Sequence, residues 1–276
     1  MPFPSPNAPS FFAPTLSFAI AFQTYLLTVS PTIPGGDSGE LIAEGCQLGQ
    51  AHPPGYPLYT IITYVLTNVV PLPFTPAYTM NVFCAFCGAM TTGILCYIIL
   101  LLTPPTTTPP TDTPTTSIPA FSALFCSLLF AFSPLSWLYH VTSEVFALNN
   151  FLTTLTLLIF LLYAQKPTTN KILGGAFIAG LSLTNQHTSI LLSFPAILYI
   201  IYTSSLLTLP KLPTLLLAGL TTAAALSLYL YLPISATLKP HAGSWGDVLS
   251  VTGFIDHFRR ADYGTFQVSG KRGRIC

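Results

Sequence analysis

The first lysine or arginine in this sequence is Lys166. A water-facing surface needs charges of both signs spread across it. A chain that is 6% charged, against roughly a quarter in ordinary soluble domains, cannot supply one. What the sequence offers instead is a series of apolar runs of about twenty residues, the length that crosses a bilayer as a helix. The expected fold class is an all-α polytopic membrane protein. A net charge of +1, with no basic run interleaved with aromatics, argues against a nucleic-acid partner.

Seven spans are expected, near 11–30, 78–102, 119–139, 145–163, 172–186, 188–208 and 213–232. The first, "FFAPTLSFAIAFQTYLLTVS", has neither the basic n-region nor the small-residue cleavage site of a signal peptide. A polar, Gly/Pro-rich insert at 31–77 follows it. Within that insert "YPLYTIITYVLTNVV" is apolar but short, which reads as an interfacial or re-entrant helix. The fifth span contains "GGAFIAGLSL", whose glycines permit close helix packing. The Pro/Thr-rich stretch 103–118 reads as a disordered linker. The organisation expected is a bundle over 1–232, carrying the acidic loop 31–77 and the linker 103–118, and then a tail at 233–276.

Lys166 and Lys171 fall between spans four and five, and Lys211 between spans six and seven. Basic loops stay cytosolic. With seven crossings, the insert, the "YHVTSEVFALNN" corner, the "TNQHTS" corner and the tail then share the opposite, non-cytosolic side. Polar groups gathered at one face of an otherwise apolar bundle point to a site there.

Three of the eight acids in the chain, Asp37, Glu40 and Glu44, lie within the insert at spacings of three and four. On a helix they share a face. One reading is structural: Asp37 and Glu40 form a D-x-x-E variant of the capping box, with Gly35 and Gly36 making the turn and Gly49 the stop. The other is chemical. Like charges crowded at a membrane boundary suit a carboxylate that deprotonates a hydroxyl, with His52 held beside it by the stiff "AHPPGYP" bend. Metal binding through Asp37, Glu40 and His52 is a rival to both. The CxxC formed by Cys84 and Cys87 sits in an apolar helix without a second pair, and reads as packing. A disulfide between Cys46 and Cys276 is the one pairing left open.

Four motifs in this region, "PGGDSGELI", "LGQAHPPGYPLY", "SEVFALNN" and "GLSLTNQH", together with "HFRRADYGTF", closely resemble the transmembrane protein 260 family over most of residues 30–265. The resemblance implies a GT-C-like transmembrane bundle of about seven spans, with a luminal first loop bearing short amphipathic helices. Animal members are multi-pass protein O-mannosyltransferases of the endoplasmic reticulum membrane. They use dolichyl-phosphate mannose as the lipid-linked donor, and Ser/Thr of luminal IPT domains of plexin-like receptors as acceptors. No cofactor and no metal is implied beyond that donor.

By position in the matching motif, Asp37 is the implied catalytic base, with Glu40 second. His52, Glu144, Asn150 and His187 are candidates to line the substrate site. Glu144 also reads as a cap for the helix it precedes, and Asn149 and Asn150 as bridges between helices. Arg259 and Arg260 match phosphate oxygens in a two-pronged way, which suits the donor phosphate; the alternative is lipid headgroups, or pairing with Asp256 and Asp262. The chain stops after "SGKRGRIC", short of the family's length, so a truncated form is expected. Two other classes stay open: a transporter or lipid-carrier binding protein, and a non-catalytic truncated partner. A transporter would carry its ionisable residues near mid-span.

Overall fold

A computed structural model describes residues 10–103, 117–204, 211–238 and 243–261. The linker, except its ends, lies outside them, as do Cys276, and with it the open disulfide, and Asp262. Among the described residues there are helices and no strands.

Helix α1 (Phe12–Thr28) packs along α4 (Pro76–Leu102), where Gly93 lets the backbones approach: a Cβ there would meet Phe18 Cβ at 3.2 Å. Thr75 and Pro76 start α4 well, the threonine hydroxyl accepting from the Tyr78 N–H at 3.3 Å and the proline filling the first helical position. The expected third span is broken. It consists of α5 (Ser117–Ala131) and α6 (Pro134–His140), bent by 70° across Phe132–Ser133, because Pro134 cannot donate the hydrogen bond that would continue the helix.

Helix α7 (Val145–Gln165) runs to the far end of the bundle, and α8 (Thr169–Asn185) returns. A short 3₁₀ turn at His187–Ser189 leads into α9 (Ile190–Ser204). Helix α10 (Leu212–Leu226) comes back once more and continues, through a 3₁₀ turn at Ser227–Leu230, into α11 (Tyr231–Leu238). The last apolar helix therefore extends six residues past the expected end at 232. The glycine expectation for the fifth span holds: a Cβ on Gly180 would lie 2.8 Å from Ala225 Cβ, so α8 and α10 touch backbone to backbone.

Four of these helical segments are long and apolar enough to cross a membrane: Pro76–Leu102, Val145–Gln165, His187–Ser204 and Leu212–Leu238. Counting the bent pair as one span makes five. Helices α1 and α8, at 17 residues each, fall short of that length, so the expected count of seven is not established.

The insert forms two short helices, α2 (Ser38–Gln47) and α3 (Pro57–Tyr64), the second prolonged by one π-helical turn at Val65–Val69. Neither has the length of a crossing. Both pack onto the bundle through a core that joins Leu41, Ile42, Tyr59, Met80, Cys84, Val145 and Leu148. Cys84 and Cys87 are free thiols within that core, which agrees with their reading as packing residues. The helix directions separate the charges. The acids of α2 meet the start of α7, whereas Lys166 and Lys171 lie at the other end of α7, about 30 Å away at 1.5 Å per residue.

Candidate active site

The turn before α2 is set by Gly36, whose φ of +77° is reached without strain only by glycine. A Cβ there would also come within 2.6 Å of Glu144 Oε1. Asp37 follows at the N-cap position, but its carboxylate caps nothing, and its side chain is 60% exposed. Nor does Glu40 reach back. The capping-box reading fails because both partners are otherwise directed: the Asp37 N–H donates to Glu144 Oε1 at 2.9 Å, and Glu40 faces His52.

His52 is the centre of the cluster. Its backbone N–H donates to Glu40 Oε1 at 2.6 Å, and its ring Nδ1 lies 3.1 Å from Glu40 Oε2. On the other edge of the ring, Nε2 lies 3.1 Å from the Tyr56 hydroxyl and 3.7 Å from Asp37 Oδ2. The histidine is buried, closed in by Tyr56 and by the edge-on indole of Trp245. The bend that holds it uses left-handed backbone at Gly55 and Tyr56.

Glu44, the third acid, plays a different part. It is buried and accepts from the Gln50 N–H at 2.7 Å and the Ser244 hydroxyl at 2.8 Å. It thereby ties the loop after α2 to the tail. Further ties come from Tyr231, whose hydroxyl donates to Gly49 O at 2.6 Å, from Ser235 to Leu48 O, and from the Trp245 N–H to Gln50 O at 3.0 Å. Helix α12 (Val251–Phe258) completes the clamp, lodging His257 against Gly246 and Gly55.

Glu144 stands at the N-cap of α7 without capping it. Its carboxylate serves the start of α2 instead, accepting from Asp37 and from the Ser38 hydroxyl at 3.5 Å. Burial raises its pKa above the ordinary carboxylate value, and the neighbouring charges of Asp37 and Glu40 add to this, while the Asp37 N–H opposes it.

The remaining candidates sit apart from this cluster. Asn150 points into the bundle, its amide nitrogen 3.2 Å from His140 Nε2; His140 Nδ1 meets Tyr25 at 3.0 Å, and Tyr25 donates to Ala131 O. His187 bonds Tyr229 at 2.8 Å and lies against Phe258. Arg260, in a left-handed conformation, is close enough for its charge to act on His187, and Arg259 is exposed at the end of α12. Among the described residues, no group of three or more His, Cys, Asp or Glu is arranged to hold a metal ion, so the metal reading of Asp37, Glu40 and His52 gains no support.

Sequence reasoning missed Tyr56, Asn81, Ser244 and the Tyr25–His140 pair. Asn81 carried a usable signal, being a lone amide inside an apolar span. It donates to Ser30 O at 2.8 Å and Thr32 O at 3.0 Å, and accepts from Ser143, pinning the exit of α1 to the α6–α7 corner.

Comparison with known proteins is specific. Residues 37–209 match the family described as the Protein O-mannosyl-transferase TMEM260 N-terminal domain. The protein named Protein O-mannosyl-transferase TMEM260 from Mus musculus is 35% identical over 259 residues, covering 91% of this chain and 34% of the mouse protein. The Dictyostelium discoideum protein of that name is 30% identical over 265 residues, covering 91% of this chain and 31% of its own length. This chain thus spans about a third of the length of these curated relatives. No solved structure matches it. With more than half of its residues matching the N-terminal domain, the chain belongs to the TMEM260 family of protein O-mannosyl-transferases.

Proposed function

We propose that this chain carries the acceptor-activating part of an inverting GT-C type O-mannosyltransferase, with Asp37 as the base. The observation that carries the reading is the exposed Asp37 carboxylate beside the buried His52 and its half-buried partner Glu40. A base must be reachable by the hydroxyl it deprotonates, and Asp37 alone of the three insert acids is exposed. In the reaction, Asp37 takes the proton of a Ser or Thr hydroxyl, the oxygen attacks the anomeric carbon, and the lipid phosphate leaves with the bonding electrons. Arg259 and Arg260, just past the end of α12, supply cations for that phosphate. His187, beside Arg260, belongs to the same wall. Glu144 acts on the site through α2, whereas Asn150 supports the bundle through His140.

The family supplies the finer terms: dolichyl-phosphate mannose as donor, Ser/Thr of luminal domains such as IPT domains of plexin-like receptors as acceptors, and the endoplasmic reticulum membrane as location. On this reading the insert and the tail are luminal and the three lysines cytosolic. The transporter alternative is disfavoured by the positions of the acids. Among the described residues they lie in the insert, at the start of α7 and in the tail, none within a span.

The test is the intact mass of an IPT-domain acceptor co-expressed with this chain in cells lacking their own family member. Added hexose supports the transferase reading. An unmodified acceptor beside a stably inserted chain contradicts it for this chain and favours a non-catalytic form.

A further inference from the structure

His52 is better placed to exchange a proton with Asp37 than to bind a sugar. An ionised Glu40 can only accept hydrogen bonds. It already receives the His52 backbone N–H at 2.6 Å, and its oxygens lie 3.1 and 3.2 Å from Nδ1. That arrangement puts the ring proton of neutral His52 on Nδ1 and leaves a lone pair on Nε2. The Tyr56 hydroxyl lies 3.1 Å from that lone pair and donates to it at rest, and Asp37 Oδ2 lies 3.7 Å from the same nitrogen. Against this ring, α2 supplies the carboxylates of Asp37 and Glu40, the bend before α3 supplies the Tyr56 phenol, and the tail supplies the uncharged indole of Trp245.

An exposed base beside a buried, carboxylate-backed imidazole makes sense when a bulky acceptor docks. A protein acceptor lying over Asp37 shuts out the water that would otherwise take the proton away. We propose that His52 is the proton store for Asp37, oriented by Glu40. This rests on the transferase reading above.

The steps balance. The acceptor O–H bond breaks and its proton goes to Asp37; the oxygen's electron pair forms the bond to the anomeric carbon; the carbon–oxygen bond to phosphate breaks with its pair on the phosphate. The Tyr56 hydroxyl then turns its proton away from Nε2, the 3.7 Å gap between Asp37 and the ring closes, and Asp37 passes its proton to His52 Nε2 and is a carboxylate again, while Glu40 neutralises the imidazolium. When the product leaves, the proton returns through Asp37 to water. His52 touches no reacting atom, so it is a positioning residue acting through Asp37, with the Glu40–His52 pair playing the orienting part that a carboxylate–histidine pair plays behind other bases.

Two measurements on the full chain test this. The first needs no activity: ¹⁵N spectra of histidine-labelled protein in nanodiscs, with the His52 signals assigned by their loss in His52→Gln. The expected result is the Nδ1–H tautomer in the parent and its loss in Glu40→Gln. An Nε2–H tautomer in the parent would point a donor at Asp37 and overturn the proposal.

The second is the steady-state kinetics of transfer. In His52→Gln kcat drops about tenfold and the acceptor KM stays within about twofold. A His52→Gln enzyme with the parent's kcat overturns the proposal. A parent that transfers nothing but shows the Nδ1–H tautomer overturns the transferase reading and leaves the wiring of the pair standing.

Discussion

Glu144 and Asp37 lie 107 positions apart, yet the carboxylate of one holds the backbone N–H of the other at 2.9 Å. The acid that heads α7 is the anion at the start of α2. A helix N-terminus has unsatisfied N–H groups and a partial positive charge, and Glu144 answers both from another part of the chain. This contact sets where the Asp37 side chain emerges.

The contact has a pH signature. Burial and the charges of Asp37 and Glu40 raise the pKa of Glu144 in the folded protein, so it holds its proton to higher pH than the unfolded chain does. The stability this contributes is full below the ordinary value of 4.5 and is lost as pH rises through the raised value. Melting temperatures measured across that window should fall with rising pH in the parent more than in Glu144→Gln. Equal slopes in the two proteins would contradict the assignment.

Gly36 and Gly35 give a matched pair of substitutions. Gly36→Ala places a Cβ 2.6 Å from Glu144 Oε1 on backbone with φ of +77°. A loss of about 1–3 kcal/mol is expected, seen as a lower melting temperature together with reduced transfer. Gly35→Ala has nothing within 4 Å of its new atom and should be tolerated. If both variants melt like the parent, the turn is not held as described.

Asn150 tests the division between site and support. Its amide donates to His140 Nε2 inside the bundle, so Asn150→Ala leaves a buried ring nitrogen without that partner. The expected cost is about 1–3 kcal/mol of stability with an unchanged acceptor KM. A stable variant with a raised KM would move Asn150 into the substrate site.

What was legible in the sequence was what neighbours in the chain decide. Apolar runs located the bundle helices, and the clustering of Asp37, Glu40 and His52 survived because "GELIAEGCQLGQAH" folds back on itself through one short helix and one bend. The break between α5 and α6 was signalled by Pro134 but hidden in a continuous apolar run. The expected span end at 232 stops short of Leu238 because Pro233 falls in the first turn of α11, where proline is tolerated. Long-range partners had no local signal. Nothing near Glu44 indicates that Ser244, 200 positions on, completes its hydrogen bonding, and nothing near Gly49 points to Tyr231.

The central claim is that the Asp37 carboxylate is the base. The most direct measurement is hexose transfer to an acceptor domain by Asp37→Asn, after its melting temperature and the His52 tautomer have been matched to the parent. The account predicts a loss of at least about a hundredfold in kcat, the low end of what a positioned base contributes. Transfer at the parent's rate by a folded Asp37→Asn protein would contradict it.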